Sequence, residues 1–176
     1  MEDQLVLVNE KDEIVGVGPK LKIHREGLLH RAFSIFIFNS LGELLLQRRA
    51  LTKYHSPGLW SNTCCGHPSP GEHVLVAAQR RLKAEMGLHC QLEAFGSLIY
   101  RADVRNGLVE HEFDHLLVGH SDLDPTLNIE EAIAWRRVPF VTLEHEVHDR
   151  PSAFTPWLRI IMDAGLLQFP NGNQRK

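Results

Sequence analysis

A run of six residues, Phe33 to Phe38, constrains the fold more than any other feature of the sequence. Its letters, Phe-Ser-Ile-Phe-Ile-Phe, are almost all apolar and are rich in aromatic and β-branched side chains. A strand with one face in water alternates apolar and polar residues, whereas a strand covered on both faces is an almost continuous apolar run. The segment therefore predicts a strand buried on both faces.

The segments around this run predict both hairpins and helices. Leu5–Val8 and Ile14–Val17 have the composition of two strands joined by a polar turn. After the turn Asn39–Gly42, Leu44–Gln47 is expected to return as a strand beside Phe33–Phe38. Further strands are expected at Gln91–Tyr100, Phe113–Gly119 and Ala134–Val138, and further helices at Val141–His148 and Pro156–Ala164. Strands and helices mix without strict alternation, so the expected class is α/β, a layered sandwich with a mixed sheet.

The clearest helix is Val74–Met86. Glu72 is expected in its first turn, where a carboxylate favours the helix dipole, and Gly87 is expected to end it. Arg81 and Glu85 stand four residues apart, so their side chains should project from the same side of the helix.

Length and charge exclude several classes of protein. The chain has 176 residues, which suits a single domain spanning 1–176. Its 19 Lys and Arg against 22 Asp and Glu give a net charge of −3, which argues against bulk affinity for nucleic acid or an anionic membrane. No apolar run approaches the roughly 18 residues that a membrane helix needs. Three cysteines, two of them adjacent, make no disulfide framework, so we expect a cytoplasmic protein. No exposed apolar helix suggests an obligate dimer, so we expect a monomer or at most a weak dimer.

Two short motifs carry side chains typical of reactive sites. In Cys65-Gly66-His67-Pro68, an extended backbone would direct the thiol and the imidazole to the same side. In Glu110-His111-Glu112, a strand would place both carboxylates on one face, which is costly unless a cation or a proton separates them. The alternatives are a turn with a buried thiol for the first motif and a polar strand face open to water for the second, which Asp114, of the same parity, would continue.

A third feature completes a possible metal site. His24 and His30 would share one side of the chain if the segment between them is extended, although surface histidines are the simpler explanation. Combined with the two motifs, they give five nitrogen and oxygen ligands suited to a divalent cation such as Zn²⁺, Mn²⁺ or Mg²⁺. These ligands are His24, His30, His67, Glu110 and Glu112.

Basic residues form a fourth group. Arg and Lys side chains near a Mg²⁺ held by a carboxylate could grip a diphosphate, and an ordinary solvated surface is the alternative. The group consists of Lys20, Arg48, Arg49, Lys53, Arg80 and Arg81.

One longer pattern resembles the Nudix box, Gly-x5-Glu-x7-Arg-Glu-U-x-Glu-Glu-x-Gly-U, in which U is a bulky apolar residue. Gly66, Glu72 and Arg80 match its beginning, and Glu85-Met86-Gly87-Leu88 matches its end. Arg81 and Ala84 stand where the box has glutamates that hold Mg²⁺, which argues against diphosphate hydrolysis.

The departures point to one family. The sequence closely resembles the type I isopentenyl-diphosphate Δ-isomerases, which have the Nudix fold and a degenerate box. The matching segments are His30–Ser34, Leu45–Ala50, Pro57–Thr63, Cys65–Pro68, Gly71-Glu72, Arg80–Leu82 and Glu110–Glu112. The resemblance implies conversion of isopentenyl diphosphate into dimethylallyl diphosphate by a 1,3-allylic proton shift through a tertiary carbocation.

The resemblance also implies a role for each matching residue. Cys65 and Glu112 would be the catalytic acid and base on opposite faces of the substrate. The three histidines and two glutamates above would hold a divalent metal, and Glu85, with the Cys65 carbonyl, a Mg²⁺ that arrives with the diphosphate. Trp157 would face the carbocation, and Tyr100 would hydrogen-bond near the acidic residue. The diphosphate would contact Lys20, Arg49, Lys53 and Arg81.

Two other functions are weighed against this one. A Nudix hydrolase of nucleoside diphosphate derivatives would need the carboxylates absent at positions 81 and 84. A binding protein without activity would need neither Cys65 nor Glu112, yet both are present. A structural zinc site ranks last, because such sites prefer four ligands that are mostly thiolates.

Overall fold

The computed structural model describes residues 3–167, within which nine strands form one mixed sheet and four α-helices pack on it. The strands are β1 Gln4–Val8, β2 Ile14–Pro19, β3 His30–Phe38, β4 Glu43–Arg49, β5 Trp60–Ser61, β6 Cys64–Gly66, β7 Leu92–Val104, β8 Leu108–His120 and β9 Ala132–Pro139. The helices are α1 Lys20–Glu26, α2 Val74–Met86, α3 Phe140–Asp149 and α4 Pro156–Asp163. No helix in this part of the chain is long and apolar enough to span a membrane.

Strand β3 is buried on both faces, as its apolar run predicts. Ile35 and Ile37 belong to the core that α2 covers, whereas Phe36 and Phe38 belong to the core that α3 and α4 cover. Side chains of a strand alternate between its faces, so one apolar run supplies both cores. The α/β/α layering and the mixed sheet predicted from the sequence are confirmed.

The register of the sheet brings distant parts of the sequence into one row. Strand β3 pairs in parallel with β8, which sets His30 opposite Glu112. Strand β8 pairs antiparallel with β7, which sets the same Glu112 opposite Tyr100. Strand β3 also pairs antiparallel with β6, where Ser34 lies opposite Cys65. The four strands thus carry polar side chains to one region of an otherwise apolar sheet.

The segment between His24 and His30 differs from the extended conformation considered above. It contains the last turn of α1, which ends at Glu26 and is followed by Gly27 in the left-handed conformation with φ 62°. A Cβ added at Gly27 would also lie 3.3 Å from Val109, so space and backbone both favour glycine there. A helix of seven residues without a side-chain cap is marginal by itself, so packing of the buried Ile23 must stabilise it. Its signal in the sequence is correspondingly weak.

Helix α2 has the predicted bounds, Val74–Met86, and Gly87 follows it as predicted, but the position of Glu72 differs. Glu72 lies before the helix rather than in its first turn, because His73 is the N-cap and accepts from the Leu75 amide. The Glu72 carboxylate instead accepts two hydrogen bonds of 2.8 Å from the Arg80 guanidinium. That ion pair, rather than the helix dipole, is the favourable interaction of Glu72.

Candidate active site

A cavity of about 390 Å³ lies where these strands meet α1, α2 and α4. Its lining contains most of the side chains that the sequence singled out. A group of histidines and glutamates, hereafter the histidine–carboxylate cluster, lies at one side of the cavity: His24, His30, His67, Glu110 and Glu112. Three of its members, His67, Glu110 and Glu112, line the cavity, whereas His24 and His30 are fully buried and do not. A set of cationic side chains, hereafter the basic wall, also lines it: Lys20, Arg49, Lys53 and Arg81. Cys65 and Trp157 line the same cavity.

The histidine–carboxylate cluster has the donor atoms of a metal site. One ligand atom from each of its five residues lies within 4.8 Å of all the others. Three of these atoms, His24 Nε2, His30 Nε2 and Glu110 Oε2, are buried and have no hydrogen-bond partner within residues 3–167. Buried polar atoms are almost always partnered, so three converging ones fit a bound cation.

The two buried histidines are held in the orientation that a metal requires. His24 Nδ1 lies 2.7 Å from the Lys20 carbonyl, and His30 Nδ1 lies 2.9 Å from the Leu28 carbonyl. A carbonyl only accepts, so Nδ1 donates in both rings and Nε2 keeps its lone pair for the cluster. Burial also keeps the pKa of His67 well below its usual value, so His67 stays neutral.

The face of β8 that carries the two glutamates is closed to water. Glu110, Glu112 and Asp114 are only 3%, 7% and 0% exposed, so the alternative of a solvated polar face is wrong. Glu112 Oε1 lies 2.9 Å from His67 Nε2, and Glu112 Oε2 accepts a 2.5 Å hydrogen bond from the Tyr100 hydroxyl. Burial, followed by the charge of Glu112, raises the pKa of Tyr100 well above its usual value. The phenol therefore keeps its proton beside the carboxylate.

The Cys65 thiol has a fixed polar environment. Its Sγ lies 3.1 Å from Asn62 Oδ1 and 3.6 Å from Ser34 Oγ. The Asn62 amide nitrogen donates to two backbone carbonyls, which leaves Oδ1 to accept the thiol proton. Burial, followed by the charge of Asp114, raises the pKa of Cys65 to about 12. The neighbouring Cys64 points instead into the core beneath α2.

Trp157 forms the aromatic part of the cavity. Its Nε1 donates a 3.0 Å hydrogen bond to Ser61 Oγ, and the side chain is only 4% exposed. The Arg49 guanidinium lies 5.1 Å from the ring centroid. The indole is thus fixed in one orientation with a cationic side chain already beside it.

The basic wall is paired with groups of the protein itself. The Lys53 ammonium contacts Glu131, and the Arg81 guanidinium contacts both Glu85 and Glu131. Arg49 donates to the backbone carbonyls of the loop that follows Lys53. Burial lowers the pKa of Lys20 although nearby carboxylates oppose this. Four cations of the wall thus face two carboxylates, Glu85 and Glu131, so the wall keeps a net positive charge.

Glu85 and the two other basic residues complete the set. Glu85 is buried, with one oxygen in contact with Arg81 and the other accepting a 3.0 Å hydrogen bond from Gln47. Arg80 lines the cavity but pairs with Glu72, and Arg48 donates to the Gly58 carbonyl and does not line it.

His55 and Glu131 are among the residues of the cavity that sequence reasoning missed. His55 Nε2 lies 2.8 Å from Glu110 Oε1, and Glu131 joins Lys53 to Arg81. Both come from loops, and no spacing in the sequence connects them to the strands they meet. Only the tertiary structure reveals their place.

The chain is similar in sequence to known proteins. The family model for the NUDIX domain matches residues 28–158. The chain is 52% identical to the isopentenyl-diphosphate Delta-isomerase of Burkholderia multivorans over 94% of this chain and 95% of that protein. It is 50% identical to isopentenyl-diphosphate Delta-isomerase 1 of Aromatoleum aromaticum, over 93% of this chain and 92% of that protein.

Solved structures match the fold at low sequence identity. DR0079 from Deinococcus radiodurans superposes with a TM-score of 0.78 at 20% identity, covering 92% of this chain and 98% of that one. The MutT protein from Methanosarcina mazei gives a TM-score of 0.63 at 19% identity, covering 77% and 91%.

Proposed function

The chain belongs to the isopentenyl-diphosphate Delta-isomerases of the NUDIX family, and from this premise we propose that it interconverts isopentenyl diphosphate and dimethylallyl diphosphate, a step of isoprenoid biosynthesis. One observation carries the proposal beyond family membership. A thiol, a carboxylate and a tryptophan line a single cavity, which the basic wall and three residues of the histidine–carboxylate cluster also line. Each group has a task in this reaction.

The reaction moves a double bond by one position. A proton is added to the terminal CH₂ carbon of the alkene, which leaves a tertiary carbocation, and a proton is then lost from the neighbouring CH₂. Cys65 and Glu112 are the two groups that exchange these protons, one giving and the other taking. Burial keeps the thiol protonated, and the Tyr100 hydroxyl holds a further proton 2.5 Å from Glu112 Oε2. General acid and base groups of this kind accelerate reactions by about 10²–10⁴-fold.

Trp157 stabilises the cation without trapping it. An indole face attracts a cation by up to about 2 kcal/mol in a dry site, and it has no lone pair that would form a bond to carbon. Ser61 fixes the ring through the indole N–H. Exclusion of water matters equally, because water would turn the carbocation into an alcohol.

The basic wall binds the diphosphate. Lys20, Arg49, Lys53 and Arg81 supply charges for a group that takes no part in the bond changes. Such remote binding energy fixes the alkene between the catalytic groups. Glu85 would hold a Mg²⁺ that arrives with the diphosphate, together with the Cys65 carbonyl.

The histidine–carboxylate cluster would hold a second divalent ion, Mn²⁺, Zn²⁺ or Mg²⁺. Its converging unpartnered atoms and its backbone-anchored histidines support that role. When bound, the ion supplies a positive charge that sets the proton affinity of the Glu112 carboxyl.

Two assays run in parallel test the proposal. Purified protein is incubated with isopentenyl diphosphate, Mg²⁺ and Mn²⁺, and the product is treated with acid, which cleaves allylic but not homoallylic diphosphates. We expect acid-labile product to accumulate without release of phosphate, and C65S protein to form almost none. Phosphate release from nucleoside diphosphate derivatives, without acid-labile product, would favour a Nudix hydrolase and contradict the proposal.

A further inference from the structure

His55 lies between the histidine–carboxylate cluster and Trp157. Its Nε2 is 2.8 Å from Glu110 Oε1, and its ring packs edge-on to the indole of Trp157 with centroids 5.7 Å apart. The residue is only 5% exposed, although it comes from the loop between β4 and β5. The functions proposed so far for the cavity give this side chain no task.

The contact with Glu110 fixes which oxygen of that carboxylate is free. An ionised carboxylate only accepts, so His55 Nε2 donates to Oε1. The other oxygen, Oε2, lies 3.4 Å from His24 Nε2 and has no hydrogen-bond partner within the described residues. Without His55, Glu110 could rotate and exchange its two oxygens. With it, Oε2 stays directed at the centre of the cluster.

The loop around His55 is built to hold the ring in place. The Tyr54 ring meets the His55 ring edge-on at 4.4 Å, and the Arg49 guanidinium donates to the carbonyls of His55 and Ser56. Ser56 has φ 49°, a left-handed conformation that is unfavourable for residues other than glycine. A strained backbone conformation of this kind persists only when its surroundings determine it.

We propose that His55 is a positioning residue, which holds Glu110 through Oε1 so that Oε2 is available to a divalent ion bound with His24 and His30. The same ring packs edge-on against Trp157, so one side chain contacts both the Glu110 carboxylate and the indole. This inference rests on the proposed function, because it assigns the histidine–carboxylate cluster to a metal ion.

A calorimetric titration of metal-free protein with Mn²⁺ alone tests the inference without substrate. H55F keeps an aromatic ring against Tyr54 and Trp157 but has no donor, whereas H55Q keeps an N–H at a similar reach. Loss of an outer partner of a metal ligand typically weakens metal binding about 10–100-fold. We expect a loss of that size in H55F and recovery to within a few-fold of the wild type in H55Q.

A matched control comes from the same strand as Glu110. His115 Nε2 lies 2.9 Å from Asp12 Oδ2, a histidine–carboxylate contact of the same kind that does not line the cavity. H115F should leave Mn²⁺ affinity unchanged. At saturating Mn²⁺, H55F should recover most of its turnover with an unaltered KM for isopentenyl diphosphate, because the basic wall is untouched.

Several results would overturn the inference. Wild-type affinity in H55F, or equal losses in H55F and H55Q, would show that the donor has no role in metal binding. If H55F does not fold, the pair H55Q and H55N decides, because the asparagine side chain is one methylene too short to reach Glu110. Absence of Mn²⁺ binding in the wild type would also overturn it. Tight Mn²⁺ binding that follows the expected pattern, without isomerisation, would reject the proposed function and support the role of His55.

Discussion

The histidine–carboxylate cluster and the basic wall handle charge in opposite ways within one cavity. In the cluster, three buried acceptor atoms converge and have no hydrogen-bond partner among the described residues, an arrangement able to bind a cation. In the basic wall, Lys53 and Arg81 already contact carboxylates of the protein, and an incoming anion must compete with Glu131 and Glu85. A cation would enter the cluster without displacing a hydrogen-bonded protein group. An anion would have to displace Glu131 and Glu85 from the basic wall.

The difference follows from how the two ends are built. Strand pairing sets Tyr100, Glu112 and His30 in one row, and backbone carbonyls orient the histidines, so the cluster has little freedom. Lys and Arg side chains are long, and their ion pairs can reform with new partners at small cost. We therefore expect mutations in the cluster to alter metal affinity and turnover, and mutations in the basic wall to alter mainly KM.

The largest effect is expected between the two ends, at the proton-transferring pair. C65S and E112Q should each lower kcat by about 10²–10⁴-fold, because each removes a group that holds or accepts a proton at the reacting carbons. The measurement is steady-state formation of acid-labile product. C90S is the control, since Cys90 lies outside the cavity and should retain full activity. Substantial turnover in E112Q would contradict the assignment.

Removing the divalent ion should have the next largest effect, a lower Tm. The shift in Tm should depend on the residues of the histidine–carboxylate cluster. A ligand at 100 times its Kd stabilises the folded state by about 2.7 kcal/mol, which for a chain of this size raises Tm by about 5–10 °C. Thermal unfolding of chelated protein with and without added Mn²⁺ should show this shift in the wild type. H30A should show almost none. A shift of equal size in H30A would place the ion elsewhere.

Neutralising one side chain of the basic wall should weaken substrate binding without weakening metal binding by the cluster. K53M or R81M is expected to raise KM for isopentenyl diphosphate about tenfold, because each removes a charged hydrogen bond to the diphosphate that is worth roughly 1.5–3 kcal/mol before competition with Glu131. Mn²⁺ affinity should not change. R48M is a matched control, since Arg48 donates to the Gly58 carbonyl outside the cavity. Loss of Mn²⁺ affinity in K53M would contradict the separate roles of the basic wall and the cluster.

A smaller and opposite effect is expected at Glu131. This carboxylate contacts both Lys53 and Arg81, so E131Q should free Lys53 and leave Arg81 paired with Glu85 alone. The variant should bind inorganic pyrophosphate about 3–10-fold more tightly without metal, in line with the modest strength of such ion pairs. Calorimetric titration with pyrophosphate measures it. Weaker binding in E131Q would show that Glu131 does not compete with the anion.

The smallest effect is expected for the salt bridge between Glu72 and Arg80, which belongs neither to the cluster nor to the basic wall. Hydrogen bonds from Arg80 lower the pKa of Glu72 to about 2, against an ordinary value of 4.5. A lowered carboxyl pKa stabilises the folded state above about pH 4.5, and that contribution is lost as pH falls through about 2. E72Q should therefore unfold at slightly lower urea than wild type at pH 7, by less than about 1 kcal/mol since Arg80 is half-exposed. The difference in unfolding free energy between the wild type and E72Q should vanish near pH 2. A difference that does not change with pH would contradict the pairing of Glu72 with Arg80.

The sequence predicted the layers and most of the cavity because those signals are local. The apolar run of β3 required two cores, and the period of a strand placed Glu110 and Glu112 on one face. The period could not show which strand lies beside which, so the row of Tyr100, Glu112 and His30 depends on long-range register. Motif resemblance supplied that link where spacing could not.

Residues that reach the cavity from loops escaped prediction for a physical reason. His55 and Glu131 owe their positions to a left-handed turn and to long-range ion pairs, neither of which leaves a periodic trace. His24 was predicted in the site on an extended segment, yet it reaches the cluster from α1. The residue type was informative there, whereas the expected conformation was wrong.

A proton NMR time course in D₂O tests the central claim most directly. Metal-loaded protein is mixed with isopentenyl diphosphate, and the terminal vinyl signals are followed together with the methyl signals. The account predicts loss of the vinyl signals, growth of a second allylic methyl signal and entry of deuterium into that methyl group, with no free phosphate. An unchanged substrate with folded, metal-loaded protein, or release of phosphate instead, would contradict it.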